Sequence, residues 1–139
     1  MKVKTAYAGK KDIETLVKDI QNQIGSFDTR FLLFFASPAI DPDKISSEIQ
    51  ARFPNVPTMG CSSSGELISG KMLDQSLVAM AFGPEIIADC KIEVLTGLNT
   101  DNNQVDAAME SFGNYFQTPA SELSPKEYVG MMLIDGVSL

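Results

Sequence analysis

Apolar and polar positions alternate in blocks along the chain, and the period of each block predicts an element. Val3 to Ala8 reads as a short strand, broken by Gly9-Lys10-Lys11. Asp12 then sits where a helix N-cap belongs, and Ile13, Leu16, Val17, Ile20 and Ile24 recur at helical spacing until Gly25-Ser26 ends the run. Arg30 to Ala36, apolar without a break from Phe31 on, reads as a strand buried on both faces, and Ser37-Pro38 stops it. Asp41-Pro42-Asp43 is a strong helix start, with an acid at the N-cap, proline in the first turn and a second acid near the positive end of the dipole. Ile45, Ile49 and Phe53 form the stripe of that second helix, and Pro54 closes it. Val56 to Met59 predicts a short strand running into Gly60.

Farther on, Leu77 to Phe82 predicts another buried strand and Gly83-Pro84-Glu85 a turn. Ala88, Cys90, Ile92 and Val94 alternate with Asp89, Lys91 and Glu93, so Ile86 to Leu95 is expected to return as the wet second strand of an antiparallel hairpin. Thr100 or Asp101 is expected to start a third helix with Val105, Ala108, Met109, Phe112 and Phe116 inward. Thr118 to Lys126 reads as a loop with two prolines, and Tyr128 to Ile134 as a final buried strand ending at Asp135-Gly136. The fold class is therefore α/β, with α+β as the alternative: a mixed sheet of about six strands, one antiparallel hairpin among them, with three helices packed on it. A strand that ends in Asp135-Gly136-Val137-Ser138 should enter a covering helix. The expectation is thus that residues 1–139 are the N-terminal portion of a longer domain, incomplete at its C-terminal end.

Composition narrows what such a fold can do. At 139 residues the chain makes one domain, and a domain of this size buries roughly 68% of its unfolded surface without staples. Apolar residues make up 44% and charged residues 21%, which is globular composition, and the net charge of −7 argues against nucleic acid and anionic membrane as partners. There is no histidine, which removes Ser-His-Asp and Cys-His catalysis and every His-ligated metal site from this chain. Two cysteines, Cys61 and Cys90, cannot build a four-thiolate zinc site, and their spacing matches no redox motif. No metal and no cofactor is expected. The N-terminal residues lack a hydrophobic targeting region and the longest apolar runs are far too short to span a bilayer, so a cytoplasmic location with two free thiols is expected and membrane insertion is not.

The candidate chemistry gathers in Gly60-Cys61-Ser62-Ser63-Ser64-Gly65-Glu66. Glycines permit positive φ and close approach of a ligand, successive N–H groups can form an anion-binding nest, and three hydroxyls donate and accept. A carboxylate or phosphate oxygen suits such a loop, with Glu66 placed to meet an ammonium group or orient a hydroxyl. The bland alternative is a Ser/Gly-rich corner. The segment lacks the Gly-Lys-Ser/Thr ending of a P-loop and the fifth-position glycine of a nucleophile elbow. Cys61 is the better thiol for chemistry and Cys90 reads as core. Asp135 and Gly136, just past a buried strand, are the second candidate contact region, against a plain Asp-Gly turn. Ser37 is a weaker candidate of the same kind, and the methionines read as core filler.

Four pieces in order carry a resemblance: Leu32 to Pro38, Gly60 to Leu67, Asp74 to Phe82 and Leu133 to Ser138. Over about residues 30 to 139 the sequence resembles the N-terminal part of FIST domains, sensory modules of bacterial, archaeal and some eukaryotic signalling proteins. The family more often carries Thr or Ala among the three positions after the cysteine, so Ser63 and Ser64 are variants. The resemblance implies a ligand-sensing role, small molecules such as amino acids as ligands, a C-terminal part of the same parent protein, and a signalling output domain or protein as partners. It brings no catalytic residues. The leading expectation is a non-catalytic sensory domain contacting its ligand through Gly60, Cys61, Ser62, Ser63, Ser64, Gly65, Glu66, Asp135 and Gly136. The alternatives are an enzyme with Cys61 as nucleophile and a protein-interaction module whose open sheet another domain completes.

Overall fold

The computed structural model describes residues 1–97 and 104–134. It divides into two compact units, Met1–Cys90 and Lys91–Leu139. The chain is an α/β protein, with a mixed sheet and three α-helices among the described residues.

In the first unit, β1 (Val3–Gly9), α1 (Ile13–Ile24), β2 (Phe31–Ala36), α2 (Pro42–Arg52) and β3 (Thr58–Ser62) follow in order. A short hairpin, β4 (Glu66–Ile68) and β5 (Lys71–Leu73), precedes β6 (Ser76–Phe82). The main sheet has the order β1-β6-β2-β3; β6 is antiparallel to both its neighbours, and β2 and β3 are parallel. The parallel pair needs a crossover, and α2 supplies it. Helix starts follow the capping signals. The Asp12 carboxylate accepts from the Thr15 N–H and hydroxyl, and that of Asp41 from the N–H groups of Asp43 and Lys44 with Pro42 in the first turn. Gly25 ends α1 at φ +59, a backbone conformation that glycine takes without cost.

The core lies between one face of the sheet and the two helices. Ala6, Ala8, Leu32, Phe34, Ala36, Leu77, Ala79 and Ala81 meet Leu16, Val17, Ile20 and Ile24 of α1 and Ile45 and Ile49 of α2. Small residues on β1 and β6 let α1 approach the sheet closely. Arg52 also ties the helices together, pairing with Glu48 at 2.6 Å and Glu14 at 3.6 Å while its carbonyl accepts from Gln21. The opposite face is more open. There Tyr7, Val78, Phe35 and Cys61 fall in one cross-strand row, and Thr5, Met80, Leu33 and Met59 in the next. Leu33 and Phe35 are half-buried, so β2 is densely packed on one face only.

In the second unit, α3 (Val105–Phe116) is followed by a 3-10 turn at Ala120–Glu122. Phe116 meets the rings of Tyr115 and Tyr128 edge-on. Glu93 accepts from the Ser111 hydroxyl and pairs with Lys91, and these two partners hold its carboxyl below the usual range.

Four expectations need correction. The segment Ile86 to Leu95 is not a strand: after the Gly83 turn it runs without ladder pairing. The reason is topological, because β1 and β2 already occupy both edges of β6 and leave none for a hairpin partner. Cys90 is accordingly half-buried in a loop rather than in the core, where burial, then the nearby Asp89 charge, pushes its thiol up. Tyr128 to Ile134 also forms no strand, and Val129 is 92% exposed. Apolarity favours burial but does not itself provide an edge to pair with. Among the described residues the main sheet therefore holds four strands, with two more in the separate β4–β5 hairpin. Within α3 only Ala108 is fully buried; Phe112 and Phe116 are half-buried, and Val105 and Met109 are exposed. The expected helix start at Thr100 or Asp101 lies outside the described residues.

Candidate functional site

The motif segment begins as strand and not as loop. β3 runs two residues beyond Gly60, so Gly60, Cys61 and Ser62 pair with Phe34, Phe35 and Ala36 of β2. Neither Gly60 nor Gly65 has positive φ. Gly60 is instead a close-approach glycine: a Cβ there would lie 2.4 Å from the Phe34 carbonyl oxygen and 2.6 Å from its ring. Gly65 has open space around it. From Gly60 to Ser62 the backbone is paired strand and not a run of successive free N–H groups, and the Ser63 N–H donates to the Ala36 carbonyl at 3.0 Å.

The polar centre is Glu66. It is 3% exposed, and its two carboxylate oxygens accept from two serine hydroxyls, Ser63 at 2.8 Å and Ser76 at 2.5 Å. Ser76, at the start of β6, is itself buried. A buried carboxylate is costly unless its lone pairs are met, and here neutral hydroxyls meet them. The three side chains come from the β3–β4 loop, β4 and β6, so one carboxylate ties three segments together.

Around this centre, Cys61, Ser62, Ser64 and Gly65 are exposed and Ser63 is half-buried. The structure thus brings Ser63 and Glu66 into one network and leaves Cys61, Ser62 and Ser64 on the surface beside it. Asp135 and Gly136 lie outside the described residues. Ser37 is buried in the turn before α2, where its hydroxyl accepts from the Ala39 N–H at 3.4 Å, a turn-forming role.

Two residues that sequence reasoning passed over belong to this corner. Ser76 was readable only as the polar residue before a buried strand. Lys71 reaches from the hairpin to Tyr7 of β1, donating to its hydroxyl and lying 4.6 Å from its ring centroid. The available signal was Ser69-Gly70 between Leu67-Ile68 and Lys71-Met72, a hairpin pattern, with Gly70 at φ +76 in the turn.

Comparison with known protein families decides the affiliation. The FIST N domain matches residues 30–139, which takes in β2, the motif, the hairpin and β6. The chain belongs to the FIST N domain family. FIST domains are sensory domains of signal-transduction proteins. No curated protein matches the chain. No helix among the described residues is long and apolar enough to cross a membrane.

Proposed function

We propose that this FIST N domain is the ligand-recognising part of a cytoplasmic sensor and that it binds a small molecule such as an amino acid, without catalysis, at Gly60 to Glu66. The observation that carries the reading is the buried Glu66 carboxylate, whose bonded partners in the structure are two neutral hydroxyls, in the motif that carries the family likeness. A ligand ammonium group supplies the positive charge that these partners lack. Ser62 and Ser64, exposed beside it, supply hydroxyls for a ligand carboxylate, and Asp135 and Gly136 are proposed as further contacts. The rest of a longer parent protein and a signalling output domain are the proposed partners. Binding acts as a signal by favouring one of two arrangements of this corner.

Thermal unfolding of the chain against a panel of amino acids and small metabolites tests the reading. A ligand at 100 times its dissociation constant stabilises by about 2.7 kcal/mol, an easily resolved shift. A selective shift is expected, and Glu66→Gln should weaken the binding by about 2 kcal/mol through loss of the charge pair. A Glu66→Gln protein with unchanged affinity removes Glu66 from the site. No shift across the panel, together with alkylation of Cys61 faster than that of a free thiol peptide, overturns the sensory reading in favour of a cysteine enzyme.

A further inference from the structure

The hairpin Glu66–Leu73 differs from the rest of the first unit in what holds it. Glu66 is its one fully buried residue, and none of its apolar side chains belongs to the core cluster. Leu67 and Met72, a directly opposed cross-strand pair, are 74% and 83% exposed. Its side-chain tethers are polar and lie at its two ends. Near the stalk, Glu66 is held by Ser63 and Ser76; near the tip, Lys71 donates to the Tyr7 hydroxyl and lies over its ring. Both sheet anchors, Ser76 and Tyr7, sit on the open face, in alternation with the core-facing Leu77, Ala6 and Ala8. The hairpin therefore lies against that face, near the row of Tyr7, Val78, Phe35 and Cys61.

The connections at the stalk suit a moving part. Gly65 precedes the hairpin, with nothing beyond its chain neighbours within 4 Å of where a Cβ would stand. Gln75 follows it at φ +47, a left-handed conformation that a side chain takes at a cost, pinned by the Lys10 N–H donating to its carbonyl at 3.0 Å. An element with little buried apolar surface and a few polar tethers opens at a lower free energy than the sheet it rests on.

We propose that Glu66–Leu73 is a flap that opens as a unit over the sheet's second face, with Glu66 on Ser63 and Ser76 as its latch and Lys71 on Tyr7 as its second catch. Opening frees the carboxylate and uncovers Ser76 and Tyr7 on that face while the core strands stay paired. The flap goes beyond the ligand reading and does not depend on it. It is tested with no small molecule added, so an empty ligand screen leaves it standing.

Amide hydrogen exchange by mass spectrometry on the 139-residue chain is the test. In the unaltered protein the hairpin amides should exchange at least an order of magnitude faster than those of β2 and β6. Ser76→Ala and Lys71→Ala should each raise hairpin exchange by a further factor on the order of ten, with β2 and β6 unchanged. If Ser76→Ala does not fold, Ser63→Ala removes the other latch bond from a half-buried loop position and is read the same way. Hairpin amides as protected as those of β6 overturn the proposal. So does a variant that accelerates hairpin and sheet in step, because the tethers are then part of the global structure and not a latch.

Discussion

Two glycines flank the motif, and the geometry gives them opposite roles. Gly60 faces Phe34 across a parallel pair, and a Cβ would collide with a backbone oxygen that cannot move without breaking the β2–β3 ladder. Gly65 has room for a methyl group and a backbone that any residue can adopt. Gly60→Ala is expected to destabilise the fold by about 1–3 kcal/mol or more, as overpacking in a close contact does. Gly65→Ala should be neutral, or stabilising by up to about 1 kcal/mol through the unfolded chain. Urea unfolding of the two variants checks this, and equal losses would contradict the steric account of Gly60. The sequence allowed a special glycine at both positions but could not tell positive φ from close approach, because the ring that crowds Gly60 comes from a residue 26 positions away. For Glu66 the sequence offered a carboxylate able to orient a hydroxyl but not its burial, because Ser76, the hydroxyl that meets it, stands ten positions away at the start of β6.

The capped helices and the strands β1, β2, β3 and β6 were legible, but whether an apolar or alternating segment would find a free edge to pair with was not. Both helices of the first unit start at the predicted acid, because an N-cap is a contact between a side chain and N–H groups two or three residues away. Ile86 to Leu95 alternates as well as any strand, yet β6 had no free edge for it. The caps also carry a pH dependence. Bonds from Thr15 to Asp12, and chiefly from the Lys44 N–H to Asp41, hold both carboxyls below the usual carboxylate range. A group depressed in the folded state adds stability above its unfolded value, and that stability is lost as pH falls through the folded value. The melting temperature should therefore hold from neutral pH down to the ordinary carboxylate range and fall below it. Asparagine keeps the capping acceptor without titrating, so a protein with Asp12→Asn and Asp41→Asn should show a shallower acid limb. Melting curves between pH 2 and 7 check this, and parallel acid limbs for the two proteins would mean that the caps do not contribute to it.

At the scale of the molecule, the core cluster lies within the first unit, from Ala6 to Ala81, and draws on both capped helices and on β1, β2 and β6. A domain needs its own apolar core, and this unit has one, formed by small residues of β1 and β6 under the α1 stripe. The family match, by contrast, begins at residue 30, after β1 and α1. The strand at one edge of the sheet and the helix that fills the core thus precede the matched segment, although β6 within it cannot keep both its partners without β1. The foldable unit and the matched unit differ, and they make different predictions for truncation. A chain of residues 1–90 should unfold cooperatively in urea, with an m value near the lower end of the usual ~1–3 kcal/mol/M range. A chain of residues 30–139 should show no cooperative transition, because it lacks Leu16, Val17, Ile20 and Ile24 and leaves one edge of β6 bare. Circular dichroism during urea titration distinguishes them, repeated at several protein concentrations because the open sheet face and the exposed Leu67–Met72 pair favour association. Cooperative unfolding of 30–139 and its absence in 1–90 would place the centre of stability in the second unit instead of the α1-covered sheet.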